Sequence, residues 1–433
     1  MICRIFSAKP PAREYASNSD SQVKGVFCVK KKIISGCLIA ALLFGGFMGI
    51  DQFQPQERSI SIVNARVEPS EKETGMKVKA KAAVLMDAVS GEVLFAQNAH
   101  KKLPPASVTK VMTMLLILEG CDSGKIRLSD TVTISERAAS MGGSQMYMEP
   151  GEQHTVEELL KGVAMVSAND GCVALAEHLA GSVEMFVEQM NKRAAELGMK
   201  DSHFVNTNGL PVANHYTSAY DIAVMSRALI AFPETAQWFT KWQDTIKVGL
   251  PGKEKEFGLT NTNKLIKQYP GAIGIKTGFT QDAGYCLSGA AERDGTRLIG
   301  VILGCTTSNI RFAEIKRLLD YGFSNYESVK IAEKGQVQKA LKIEKGTPSK
   351  VDVIMEDDAA ILVKKGNKNR IKTKIEMDGY IKLPLKRGQK LGELVVLQDG
   401  KEKERFPIVA RDSAKKASIK ELYIQMMKKL IET

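Results

Sequence analysis

Three short patterns place nucleophilic, basic and hydrogen-bonding side chains at spacings that could perform acyl transfer. The first is Ser107-Val108-Thr109-Lys110. At the start of a helix, residues three apart share a face, so Lys110 can reach the Ser107 hydroxyl. A serine hydroxyl is a weak nucleophile until a base takes its proton. A lysine partly buried among cationic neighbours can be neutral and serve as that base. The pattern alone says little, because Ser21-x-x-Lys24 and Ser413-x-x-Lys416 match it too. Ser107 differs in following a strand pair and opening an apolar helix. The second pattern is Ser167-Ala168-Asn169, which falls between two helical stretches, where short polar residues also act as caps. The third is Lys276-Thr277-Gly278, directly after the strand-like Ala272 to Ile275. Lysine there offers positive charge, threonine a hydroxyl for a carboxylate, and glycine a close backbone approach. Taken singly, each pattern has a plain structural reading; together they stand in the order that one catalytic design requires.

The elements that must hold these residues follow from hydrophobic periodicity. Ala83-Val84-Leu85-Met86 and Val93-Leu94-Phe95 bracket Val89-Ser90-Gly91-Glu92, the pattern of a strand–turn–strand hairpin. Pro104-Pro105-Ala106 leads into a helical run over 107–118, and further helical patterns cover 156–165, 171–179, 183–197 and 219–231. Strand-like runs follow at 272–276, 285–291 and 298–304, and a helix over 310–321 closes the region. Strands, then helices, then strands again predict an α+β domain over 78–325 whose antiparallel sheet joins both ends of the segment. The texture then changes to short β-rich runs separated by Gly- and Lys-rich turns, predicting a small all-β domain over 326–412. The last stretch, 413–433, predicts an amphipathic helix with Ile419, Leu422, Tyr423, Met426 and Leu430 on one face and Lys428 and Lys429 on the other. A basic amphipathic helix suits in-plane binding to an anionic membrane; packing on its own domain is the other reading.

Before the domains come a basic N-terminal region (1–32), an uncharged run at 33–50 preceded by Lys30-Lys31-Lys32, and a polar linker (51–77). A positive flank and an apolar stretch form the pattern of an export signal or an uncleaved anchor, which predicts an exported protein. Val63-x-Ala65 offers a cleavage site, though it lies far past the apolar run. Ile34-Ser35-Gly36-Cys37 is a poor lipoprotein box, with only two apolar residues before the cysteine. The Ser/Asn/Pro-rich first 22 residues are unusual for a signal region and suggest a natural start downstream, near Val23. A length of 433 residues suits two domains plus extensions, and 44% apolar residues can build a sizeable core. The net charge of +12 suggests an anionic partner, yet no nucleic-acid-binding module is recognisable. Of the seven cysteines, Cys3, Cys28 and Cys37 precede or enter the apolar run, and Cys121, Cys172, Cys286 and Cys305 are widely spaced. That spacing reads as buried thiols rather than a disulfide framework, with a Cys286–Cys305 bridge across a hairpin as the alternative.

With these motifs in place, the stretch from about 82 to 323 resembles the low-molecular-mass penicillin-binding proteins, specifically the serine-type D-alanyl-D-alanine carboxypeptidases. The resemblance extends to Gly142-Gly143-Ser144, Pro150-Gly151-Glu152, His203-Phe204-Val205-Asn206-Thr207-Asn208-Gly209-Leu210, His215-Tyr216 and Gly274 to Thr280. The β domain and the tail helix also resemble those of the family. The resemblance implies a β-lactamase/transpeptidase-like catalytic fold and removal of the terminal D-alanine from peptidoglycan pentapeptides through a penicillin-sensitive acyl-enzyme. It implies Ser107 as nucleophile, Lys110 as general base and Ser167 as a proton bridge. Asn169, Lys276, Thr277 and Gly278 would hold substrate, Arg311 would engage the terminal carboxylate, and the N–H groups of Ser107 and Phe279 would form an oxyanion hole. Implied partners are peptidoglycan stem peptides, β-lactams as covalent inhibitors and an anionic membrane surface, with no nucleic acid, metal or cofactor. The implied place of action is the outer face of the cytoplasmic membrane. Alternatives are a D,D-endopeptidase, a β-lactamase, for which no deacylating Glu-x-x-Leu-Asn is evident, or an idle wall-binding module.

Overall fold

A computed structural model describes residues 75–379 and 381–431; the N-terminal region, the apolar run and all but the end of the linker lie outside them. The five strands of the central sheet are β1 (Ala82–Asp87), β2 (Val93–Gln97), β3 (Ala272–Thr280), β4 (Gly284–Arg293) and β5 (Thr296–Cys305). They are antiparallel in the order β2-β1-β5-β4-β3, so the two ends of the segment meet at the β1–β5 pair. The α+β architecture read from the sequence is therefore present.

Alternation along the strands explains how both sheet faces are covered. Val84, Met86, Ile299, Val301 and Leu303 face one core. That core also contains residues of α1 (Lys110–Asp122), α2 (Val156–Met165), α3 (Asn169–Ala180), α4 (Val183–Glu196) and α5 (Ala219–Leu229). Ala83, Leu85, Leu298 and Ile302 face the other, beneath α6 (Ser308–Asn325) and its Ile315, Leu318 and Leu319. Helix α1 is apolar all round (Val111, Met112, Met114 to Leu118), which is why it lies buried in the centre of the larger core. A capping box on α2 pairs the Thr155 hydroxyl with the Glu158 N–H at 3.1 Å and the Glu158 carboxylate with the Thr155 N–H at 2.8 Å.

Strand β6 (Tyr326–Ala332) begins where α6 ends and pairs with β9 (Ala359–Lys364). The second five-stranded sheet runs β7-β8-β12-β11-β10, from β7 (Val337–Lys342), β8 (Lys350–Met355), β10 (Ile371–Met377), β11 (Lys390–Gln398) and β12 (Lys401–Ala410). Its core of Val351, Val353, Leu391, Leu394 and Ile408 is separate from those of the catalytic domain. The Lys403 ammonium ion-pairs with Glu92 on the turn between β1 and β2, tying the two domains together. Helix α7 (Ile419–Ile431) closes the chain with Ile419, Tyr423 and Met426 exposed.

Two expectations are adjusted, and the reading of Cys286 and Cys305 as buried thiols holds. The Lys276-Thr277-Gly278 motif lies within β3 rather than after a strand ending near it, since β3 runs on to Thr280 and pairs with β4 throughout. Ser107 lies on a 3-10 turn, Ala106–Thr109, that precedes α1. Cys286 and Cys305 are free thiols: Cys286 stands opposite Gly278 and Cys305 opposite Tyr285, so no Cys286–Cys305 bridge forms.

Candidate active site

The three motifs, far apart in sequence, meet beside β3. The turn carrying Ser107 is built against two backbones. A side chain at Gly278 would put its Cβ 2.9 Å from the Pro105 carbonyl oxygen and 3.1 Å from the Ser107 nitrogen, so only glycine lets β3 approach the turn this closely. On the other side, Gly209 at φ +88° brings its backbone so near that a Cβ there would lie 1.8 Å from the Ala106 carbonyl oxygen. Ala106 itself sits at φ +50° and Ser167 at φ +66°, a left-handed conformation that costs a residue bearing a Cβ about 1–2 kcal/mol. Such strain persists where the surroundings over-determine it, often at functional sites.

Lys110 is fully buried at the first position of α1, and its Nζ lies 3.0 Å from Ser107 Oγ and 2.7 Å from the Asn208 carbonyl oxygen. Burial pushes its pKa from 10.5 down to about 8, opposed to a smaller extent by the neighbouring Cys172 and Asp170 side chains. In the neutral amine, one N–H still donates to Asn208 while the lone pair faces the Ser107 hydroxyl. Lys276, also fully buried, is held well below its ordinary value, first by burial and then by the Lys110 charge. The Lys276 Nζ donates to the Thr277 carbonyl at 3.1 Å. Thr277 Oγ1 is 2.9 Å from Thr262 Oγ1, which fixes the threonine hydroxyl at the site.

Asn169 opens α3 without capping it; Nδ2 donates to the Gly142 carbonyl at 2.6 Å and the backbone N–H to Ser144 at 2.8 Å. Gly142-Gly143-Ser144 thereby fixes the asparagine with its Oδ1 unengaged. Asp170 draws the same loop in by accepting from the Met146 N–H at 2.9 Å. Ser167 Oγ, Asn169 Oδ1 and Arg311 Nε are buried polar atoms without a partner among the described residues. Unpaired buried polar atoms are costly, and a cluster of them marks where a ligand's donors and acceptors belong. Arg311 is used largely internally: Nη1 donates to the Gly278 and Cys286 carbonyls, each at 3.1 Å, and Nη2 to Ser308 Oγ at 3.2 Å. It therefore braces the strand segment that carries Gly278. Phe279 is half exposed and stacks on Tyr285 with ring centroids 4.3 Å apart.

Two further contributors lie in segments that carry the family resemblance, though no role was assigned to them from the sequence. His215 Nδ1 accepts from the Val205 N–H at 3.0 Å, which leaves the proton on Nε2, 2.8 Å from Thr109 Oγ1. The Thr109 hydroxyl in turn donates to Ala106 at 2.9 Å. Burial lowers the His215 pKa from 6.5 to about 4, so this neutral relay pins the strained residue before Ser107. The second is the 206–209 loop, whose Asn208 carbonyl orients Lys110 and whose Thr207 carbonyl accepts from Thr113 Oγ1 at 2.6 Å.

Residues 67–307 match the family model described as Peptidase_S11, D-alanyl-D-alanine carboxypeptidase, and residues 326–416 match that of Penicillin-binding protein 5, C-terminal domain. The chain is 43% identical over 340 residues to D-alanyl-D-alanine carboxypeptidase DacF of Bacillus subtilis (strain 168), covering 78% of this chain and 87% of the relative. It is 34% identical over 349 residues to DacC of Escherichia coli (strain K12), covering 78% and 84%. A crystal structure of penicillin binding protein 5 from Haemophilus influenzae superposes with a TM-score of 0.64 at 33% identity, covering 78% of this chain and 98% of that one. With a serine and a buried lysine 3.0 Å apart beside the K-T-G strand, and with both domains matched, the chain belongs to the D-alanyl-D-alanine carboxypeptidase family, peptidase S11.

Proposed function

We propose that this enzyme removes the C-terminal D-alanine from peptidoglycan stem pentapeptides, with Ser107 as nucleophile and Lys110 as its base. The observation that carries this assignment is the fully buried Lys110, its pKa lowered to about 8, with Nζ 3.0 Å from Ser107 Oγ. β3 is an edge strand of the sheet, so a substrate backbone can lie along it in extended form. Thr277 and Lys276 receive the terminal carboxylate, with Arg311 bracing the strand beneath it. Asn169 Oδ1 accepts from a substrate amide. Ser107 Oγ attacks the carbonyl between the two D-alanines as Lys110 takes its proton. The N–H groups of Ser107 and Phe279 stabilise the oxyanion, an effect worth roughly 3–4 kcal/mol per donor elsewhere. When the C–N bond breaks, the proton passes from Lys110 through Ser167 Oγ to the leaving amine. Water then adds to the acyl-enzyme, returning Ser107 and the shortened peptide. A β-lactam enters by the same attack, with its ring amide as the bond broken.

The enzyme acts outside the cytoplasm, where its substrate lies. No helix among the described residues is long and apolar enough to cross a membrane. The exposed Ile419, Tyr423 and Met426 of α7 favour docking on an anionic membrane surface over packing against the protein. D-alanine release from a pentapeptide mimic tests the assignment: Ser107→Ala abolishes release and labelling by fluorescent penicillin. A wild type that binds penicillin yet frees no D-alanine refutes it.

A further inference from the structure

A cleft of about 410 Å³ is lined by Ala106, the residue before Ser107, and by Thr280 and Asp282 at the end of β3 and just beyond it. Its remaining wall is largely apolar: Pro105, Leu210, Pro211 and Val212. His215 also lines it and is neutral, since burial lowers its pKa to about 4. Asp282 is therefore the one charged lining residue, in a chain whose net charge is +12. Its carboxylate is exposed and, among the described residues, has neither a hydrogen-bond nor an ion-pair partner. The polar machinery described above does not use it.

The cleft's position relative to β3 indicates which part of a substrate enters it. Lys276 and Thr277 lie on one side of Gly278, and the chain continues past Phe279 and Thr280 to Asp282 on the other. With the leaving residue held at Thr277, the retained part of the peptide runs toward Asp282. Phe279 and Asp282 are three residues apart, a span of at most about 10 Å. One peptide residue beyond the scissile carbonyl, with a four-carbon side chain and a terminal nitrogen, covers a similar distance.

We propose that this cleft is a specificity subsite for the third residue of the stem peptide, taking an aliphatic side chain that ends in a primary ammonium, with Asp282 as the counter-charge. The proposal rests on the carboxypeptidase reading above. The methylene stem lies along the Pro105–Leu210–Pro211 wall and the ammonium meets the carboxylate. An exposed ion pair of this kind changes binding by about 2- to 5-fold.

The test compares D-alanine release from two tripeptides ending in D-Ala-D-Ala, one with a free lysine side-chain amine and one with that amine acetylated. The wild type is expected to favour the free amine about 2- to 5-fold in kcat/KM, and the preference is expected to disappear in Asp282→Asn and in 0.5 M salt. Asp282→Lys, paired with a succinylated peptide whose side chain ends in a carboxylate, is expected to reverse the preference. Equal use of both peptides by the wild type overturns the subsite while leaving the carboxypeptidase assignment standing, as does a preference that survives Asp282→Asn. Release from neither peptide, with penicillin still bound, overturns the carboxypeptidase reading itself.

Discussion

Replacing Lys110 with arginine keeps the positive charge and much of the stem but removes any titration near neutrality. Burial places the wild-type Lys110 pKa at about 8 rather than 10.5. At pH 7 roughly 9% of Lys110 is then the free amine, against roughly 0.03% at the ordinary value. That is about 300-fold more base, or roughly 3 kcal/mol of protonation energy that the fold supplies in advance. The wild-type acylation rate, measured as kcat/KM with a fluorescent penicillin, should climb about tenfold per pH unit below pH 8 and level off above it. Lys110→Arg should be flat with pH and slower by about 10²–10⁴-fold at the plateau, while circular dichroism reports an intact fold. The same burial has a stability signature. The unfolded chain holds the Lys110 proton up to about pH 10.5 and the folded chain only to about 8, so the folded state binds fewer protons between those values. Stability from this group therefore rises across that window and is absent below pH 8. Lys110→Met is accordingly expected to lose acylation without losing thermal stability at pH 7. Wild-type acylation that is flat from pH 6 to 9, or an arginine variant within about tenfold of wild type, would refute the assignment of Lys110 as the base.

His215 should make the site acid-labile. Its folded pKa of about 4 lies below the unfolded 6.5, so its contribution is intact above 6.5 and is lost as the pH falls toward 4. His215→Gln should flatten the Tm–pH curve in that range and lower kcat more than it raises KM; an unchanged curve contradicts the relay. Gly209→Ala meets both a left-handed φ and the Ala106 carbonyl, costing about 2–5 kcal/mol. It should lower Tm by at least about 5 °C and slow acylation, and wild-type values for both would show that the loop can yield. Burial raises the thiol pKa of Cys172 and Cys286 to about 11 and that of Cys305 to about 12. Peptide mapping after thiol labelling at pH 8 should find all three unmodified in the native protein and modified once it is unfolded; rapid native labelling of Cys172 would contradict the burial.

The parts of the fold legible in the sequence were those written in periodicity. The β1–β2 hairpin, the uniformly apolar α1 and the alternation in β5 announce their surroundings, because each pattern states how many faces are buried. The hairpin of Gln243–Val248 with Lys255–Thr260 carries no such signal, since most of its residues face solvent and alternation is lost. β3 reads short because Gly278 interrupts the β-forming run, and that glycine is where the turn carrying Ser107 presses in. Ser107, Lys110, Ser167, Asn169, Lys276 and Thr277 were legible as candidates because they fall in three short motifs. The supporting contacts are not written in any spacing: the Asn208 carbonyl on Lys110 spans 98 positions and the His215–Thr109 side-chain contact 106. Arg311 was legible as a residue, while its donation to the Gly278 carbonyl depends on how α6 crosses the sheet.

Lys110 and Lys276 stand fully buried, and neither forms an ion pair with any described residue. A pocket built this way supplies its lysines with no ion-paired carboxylate. A peptide carrying a free terminal carboxylate brings a counter-ion with it and favours the charged form of the lysine beside it. A peptide capped as an amide has no charge to offer and leaves these lysines without a counter-ion. The preference for a chain end over a chain interior can thus arise from what the protein omits as much as from what it places there.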